Sequence, residues 1–260
     1  MTLEDLGYNI DLEQYAKDHN LQSFEVGRVV AEHKEKYIVK TINSEYQAEV
    51  TGKLRFTAEN RFDFPAVGDW VAITVYDESQ CLIHEIYPRR TILSRKSVSK
   101  NFESQILATN IDYGIIVTAV DHNFNINRIE RYLTICNASK IEPIIVLNKI
   151  DLIDTDRKVE ILYEINQRIF HTPIITLSSV TLEGISKIKN LILKTKTYCL
   201  LGSSGVGKST ILNTLAERFL MNTGSISLIH NKGKHITTHR DSLFQNYISS
   251  LENSRSYSIT

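Results

Sequence analysis

Gly202-Ser203-Ser204-Gly205-Val206-Gly207-Lys208-Ser209 matches the pattern G-x-x-x-x-G-K-[ST] in full, and its reading decides the fold of half this chain. The apolar run Tyr198-Cys199-Leu200-Leu201 before it suits a buried parallel strand. Ile211, Leu212, Leu215 and Phe219 after it recur at helical spacing. Between such a strand and helix, glycines at 202, 205 and 207 let successive backbone N–H groups converge on one concavity that binds phosphate oxygens. The helix N-terminus behind that concavity favours an anion. Lys208 is long enough to meet the β- and γ-phosphates, and the Ser209 hydroxyl suits Mg²⁺, so Gly202 to Thr210 is the predicted phosphate site. A chance glycine-rich turn is the alternative, and it explains neither flank.

Some fifty residues upstream, Asn148-Lys149-Ile150-Asp151 reads as N-K-x-D, placed after the strand-like run Ile144-Ile145-Val146-Leu147. Strand C-terminal ends are where open α/β sheets hold their ligands. Asp151 can accept hydrogen bonds from the guanine N1–H and exocyclic amine, which adenine lacks, and an unpaired buried carboxylate would reject adenine. The Lys149 stem can lie over a base, and Asn148 can tie neighbouring loops together. The competing reading is a surface turn with a helix N-cap at Asp151 or Asp154. Between the two motifs, Ser178-Ser179 ends the strand-like run Pro173 to Leu177, where a backbone amide can meet the guanine oxygen. Ordinary small GTPases carry the phosphate loop first and the base reader later. Here the order is reversed, which predicts a circularly permuted GTPase domain; Asp151 and the permuted order argue against a P-loop ATPase or kinase.

The hydrophobic fraction of 42% and charged fraction of 23% fit a soluble globular chain, and 260 residues suffice for two cores. No apolar run has the length of a membrane span and the acidic N-terminus is unlike a signal peptide, so a cytoplasmic location is expected. Cys81, Cys136 and Cys199 are far apart in apolar or amphipathic segments, which predicts buried reduced thiols and no zinc site. A net charge of zero gives no global sign of nucleic-acid binding, yet Arg89, Arg90, Arg95, Lys96 and Lys100 cluster in a stretch free of acids. Residues 1–24 form an N-terminal extension with a short helix from Leu12 to Leu21. Five short strand-like runs in 25–88 predict an all-β OB-fold barrel, or another small barrel with no nucleic-acid role. Residues 89–105 are the expected basic linker. From 106 to 240 the strand at Tyr113–Val120, the helix at Ile126–Ala138 and the strand at Ile144 alternate as in an α/β domain with a parallel sheet.

The chain resembles the circularly permuted GTPases of small-ribosomal-subunit biogenesis, the RsgA (YjeQ-type) family. The resemblance rests on Pro65-Ala66-Val67-Gly68-Asp69-Trp70-Val71, Arg89 to Lys96, Ala108-Thr109-Asn110-Ile111-Asp112, Asn148 to Asp151, Gly202 to Thr210 and Lys232 to Arg240. It implies a GTP hydrolase using GTP/GDP and Mg²⁺, a barrel docked on ribosomal RNA, and a role late in small-subunit maturation. The small ribosomal subunit and its rRNA are the implied partners, with no membrane partner and a monomeric state. It also implies a first switch around His235, with Thr237 or Thr238 completing the Mg²⁺ shell because Ile236 replaces an expected threonine. Arg89, Arg90, Arg95 and Lys96 are the candidate RNA contacts.

The C-terminal residues depart from the family. No D-x-x-G occurs between Ser209 and Thr260, and no cysteine follows Cys199 where relatives carry a zinc domain. Residues 241–260 are serine-rich and read as a disordered or weakly helical tail. The expectation is a truncated or frameshifted product, so the alternative to a GTPase is a hydrolysis-deficient nucleotide- and RNA-binding module. No catalytic residue is assigned.

Overall fold

The computed structural model describes residues 2–33, 36–96, 104–122 and 124–215, in two compact units. Among the described residues, the first comprises 2–112 with 194–197, and the second 113–193 with 198–215.

In the first unit, β1 (Glu25–His33), β2 (Lys36–Lys40), β3 (Glu45–Val50), β4 (Trp70–Asp77) and β5 (Gln80–Ile86) close a barrel in the order β1-β2-β3-β5-β4. All pairs are antiparallel except β3 with β5. This is the five-stranded barrel expected of an OB-fold. Period-two alternation builds it: Tyr46, Ala48 and Val50 are buried while Glu45, Gln47 and Glu49 are exposed. Val29, Tyr37, Val39, Val71, Ile73, Cys81 and Ile83 fill the same interior. The connection from β3 to β4 holds α2 (Gly52–Thr57), a helix not anticipated from sequence, whose N-cap Thr51 accepts a hydrogen bond from the Leu54 amide. The N-terminal residues are part of this unit. In α1 (Ile10–Asp18), Leu12 and Ala16 pack with Leu6, Leu21, Trp70, Ala72 and Tyr87.

The described residues of the segment expected as a linker include strand. β6 (Ile92–Lys96) and β7 (Ser104–Thr109) pair antiparallel, with Leu93, Ile106 and Ala108 buried. The run of cations had masked a short amphipathic strand. Arg89, just before this strand, has its charge taken up inside the unit. Its guanidinium binds the buried Asp69 carboxylate twice (Nε–Oδ1 2.9 Å, Nη2–Oδ2 2.6 Å) and also donates to the Phe62 and Phe64 carbonyls. With its side chain 11% exposed, Arg89 is largely engaged within the barrel unit. Asp69 further accepts from the Ala66 amide (2.8 Å) and the Thr109 hydroxyl (2.6 Å), joining barrel and hairpin. Gly68 beside it has φ +97°, and a Cβ there would lie 2.2 Å from the Thr109 carbonyl oxygen. Arg28, also buried, donates to the carbonyls of Gly68, Leu6 and Asn110, and desolvation lowers its pKa to about 10. It therefore stays cationic at neutral pH.

The second unit has a parallel sheet in the order β10-β9-β8-β11: β8 (Tyr113–Ala119), β9 (Glu142–Asn148), β10 (Ile174–Thr176) and β11 (Tyr198–Leu201). Ile115, Ile116, Val117 and Ile144 to Leu147 are almost wholly buried, as strands covered on both faces must be. α3 (Ile126–Ala138) packs on β8 and β9. α4 (Thr155–Arg168) follows β9 and α5 (Ile185–Leu191) follows β10. α6 (Lys208–Leu215) follows β11 and buries Ile211, Leu212 and Leu215.

Replacing Asp69 with Asn is expected to destabilise the first unit by about 3 kcal/mol, because Arg89 loses its buried counter-charge. The check is urea unfolding followed by fluorescence of Trp70, the chain's one tryptophan. Burial raises the pKa of all three thiols, Cys81 to about 12, Cys136 to about 11, and Cys199 higher still. A thiol-disulfide reagent should therefore leave all three unreacted in the folded protein and titrate three after denaturation.

Candidate nucleotide-binding site

Every predicted nucleotide-site residue lies in the second unit, at or just beyond the C-terminal ends of β9, β10 and β11. The chain reaches these positions in permuted order, but parallel pairing delivers all the strand ends to one edge.

Asn148, the last residue of β9, is fully buried, and its carboxamide is used in both directions. Nδ2 donates to the Val206 carbonyl (2.8 Å) and Oδ1 accepts from the Ser179 amide (3.1 Å). One side chain thus joins the phosphate loop to the serine loop. Gly207 has φ +97°, and a Cβ there would fall 2.2 Å from Asn148 Nδ2, so only glycine allows this approach. Gly202 likewise sits where a Cβ would meet the Val117 carbonyl oxygen at 2.3 Å. The fingerprint glycines are therefore needed for contacts as well as for turning.

Lys208 curls back and donates to the carbonyls of Gly202 (2.9 Å) and Ser203 (2.7 Å). Its burial lowers its pKa, since those dipoles replace hydration only partly. Ser209 and Thr210 stand in the first turn of α6, half-buried. Ser178 is buried, and its hydroxyl accepts from the Val180 and Thr181 amides (3.2 and 3.0 Å), which fixes the serine loop.

Of the two helix-cap candidates, one caps. Asp154 is the helix cap: it accepts from the Arg157 amide (2.8 Å) at the start of α4. Asp151 caps nothing there. It lies in a 3₁₀ turn, Ile150–Leu152, and is exposed, which corrects the expectation of a buried carboxylate. Lys149 occupies the left-handed region (φ 66°, ψ 36°), and its ammonium meets Asp121 Oδ2 at 3.0 Å. Asp121 was not anticipated. Its position directly after the apolar strand run ending at Val120 is the signal that could have found it.

Thr237 and Thr238 lie outside the described residues, as do the side chains of Arg95 and Lys96. Arg90 is half exposed and pairs with Asp112 at 3.0 Å.

The RsgA GTPase family model matches residues 86–249. The small ribosomal subunit biogenesis GTPase RsgA of Opitutus terrae is 38% identical over 252 residues, covering 94% of this chain and 68% of the relative. RsgA 2 of Lactiplantibacillus plantarum is 39% identical, covering 83% and 60% respectively. The chain thus spans 60 to 68% of the length of these two curated relatives. Among solved structures, YjeQ from Thermotoga maritima aligns with a TM-score of 0.60 at 28% identity, covering 73% of this chain and 64% of that one. YloQ, described as a circularly permuted GTPase, aligns at 0.58 and 21% identity over 93% and 84%, a likeness of fold.

Gly207→Ala should displace Asn148 and cost nucleotide affinity at least about tenfold, since both the positive φ and the contact forbid a side chain. Fluorescent GDP titration checks it, with thermal unfolding as the control for folding.

Proposed function

Because this chain belongs to the RsgA GTPase family, we propose that it binds and hydrolyses GTP and acts in the biogenesis of the small ribosomal subunit. The observation that carries this reading is the Asn148 carboxamide, which fixes the phosphate loop and the serine loop against the strand that ends in the base reader. In this reading the backbone amides of Gly202 to Thr210 bind the phosphates, and Lys208 exchanges its two carbonyl partners for β- and γ-phosphate oxygens. That exchange favours the charged lysine and reverses the effect of burial on its pKa. Asp151, exposed and free of the helix-cap role, receives the guanine N1–H and amine, with the Ser178-Ser179 amides toward the guanine oxygen.

Mg²⁺ fits this donor set. A hard cation prefers oxygen, and the Ser209 hydroxyl follows directly on the phosphate lysine in the first turn of α6. When bound, the ion neutralises charge on the β- and γ-phosphates. Thr237 or Thr238 is the second proposed ligand. The barrel docks on rRNA, with Arg89, Arg90, Arg95 and Lys96 as the proposed contacts, of which Arg90 keeps half its side chain exposed. The proposed setting is the cytoplasm, as suits a factor for small-subunit biogenesis, and the proposed state is a monomer.

A second reading is nucleotide binding without turnover. Single-turnover GTP hydrolysis with and without small ribosomal subunits separates the two. Stimulated hydrolysis supports the enzyme; GDP binding with no hydrolysis supports the binding module. Asp151→Asn should cut GDP affinity roughly ten- to a hundredfold, because the new amide presents a donor to the guanine N1–H, and should leave pyrophosphate binding unchanged. Equal GDP affinity in the variant would remove Asp151 from the site.

A further inference from the structure

We infer that Asp121 is a positioning residue of the nucleotide site, acting through Lys149 to hold the aliphatic stem of that lysine as a fixed face for a purine ring. The inference rests on the guanine-nucleotide reading above and extends it to a residue outside the fingerprints.

Three observations carry it. Asp121 Oδ2 lies 3.0 Å from Lys149 Nζ, and both side chains are largely withdrawn from solvent, 12% and 20% exposed. An ion pair so placed is screened less than a surface pair and holds a defined geometry. The backbones beneath it are joined, since the Val120 amide donates to the Asn148 carbonyl (3.1 Å). The end of β8 and the end of β9 are thus one platform, with Asp121 on one strand end and Lys149 on the other. Lys149 also takes a left-handed conformation, unfavourable for a residue with a Cβ and kept only where surroundings determine it. That conformation starts the 3₁₀ turn containing Asp151, so one residue sets the direction of both the lysine stem and the base-reading carboxylate.

A lysine anchored at its tip loses its side-chain freedom before the ligand arrives. Its methylenes then present apolar surface at no further ordering cost when a flat base lies on them. Without Asp121 the ammonium turns to solvent and the stem must be ordered by the nucleotide itself. The penalty falls on the base and not on the phosphates, which are bound by a separate loop.

The test uses the full chain with Asp121→Ala, Asp121→Glu and Lys149→Ala, and the double variant Asp121→Ala with Lys149→Ala. Affinities for GDP, IDP and pyrophosphate are measured by calorimetry. Asp121→Ala should weaken GDP and IDP by the same factor, about tenfold, because stacking does not depend on the exocyclic amine. Pyrophosphate affinity should not change, which a general loss of folding could not produce. Asp121→Glu should recover most of the loss, and Asp121→Ala should have no added effect once Lys149 is alanine. An unchanged GDP affinity in Asp121→Ala, an equal loss for pyrophosphate, or full additivity in the double variant would each overturn the proposal while leaving the nucleotide site standing. Failure of the unaltered chain to bind GDP would overturn the nucleotide reading and this inference with it.

Discussion

One buried carboxamide joins what the chain order separates. Asn148 leaves β9 and satisfies a carbonyl of the phosphate loop, fifty-eight residues downstream, and an amide of the serine loop, thirty-one residues downstream. Both partners are backbone groups close to buried side chains, and a buried polar group left unpaired costs about 1–3 kcal/mol. The loops are therefore held in one relative geometry before any ligand arrives. Gly207 is the complement of this arrangement, since the space a Cβ would need is taken by the Asn148 amide. A permuted chain keeps such a site because the constraint is spatial. Parallel strands deliver their C-terminal ends to one edge whatever the order in which they are made.

The barrel unit depends on a comparable buried centre. Asp69 binds Arg89, Ala66 and Thr109, while Arg28 is surrounded by carbonyls of Gly68, Leu6 and Asn110. The segment Pro65 to Val71 is thus a structural hub, with Gly68 supplying a turn pressed against the Thr109 backbone. Two cations, Arg28 from β1 and Arg89 from the basic run, are consumed there. Electrostatic readings of a basic run must therefore ask first which of its charges the fold already uses. Arg90 keeps half its surface exposed although it pairs with Asp112, whereas Arg89 does not.

Much of this was legible in the sequence. The barrel strands and α3 announce themselves through period-two and period-3.6 burial, because backbone geometry imposes those periods on a strand or helix with one buried face, and the sheet strands of the second unit through continuous apolar runs, because both their faces are covered. The phosphate loop and the base reader are local patterns whose chemistry is carried by a few adjacent residues. α2 was hidden because it is a short helix with no buried residue and hence no apolar stripe. β6 was hidden by its cations. Asp121 was hidden because a single acid after a strand carries no pattern of its own.

The sequence alone determined which residue types bind phosphate and which read a base, since those properties belong to glycine torsions, a lysine, a serine hydroxyl and a carboxylate. It also determined the reversed order, and with it the permuted fold. Only the tertiary structure decided the partners: that Asp154 and not Asp151 caps α4, that Arg89 belongs to Asp69, and that Lys149 is anchored by Asp121. Such pairings depend on distance and burial between residues far apart in the chain. No periodicity records them, because the desolvation that makes each pair matter exists only once the chain has folded.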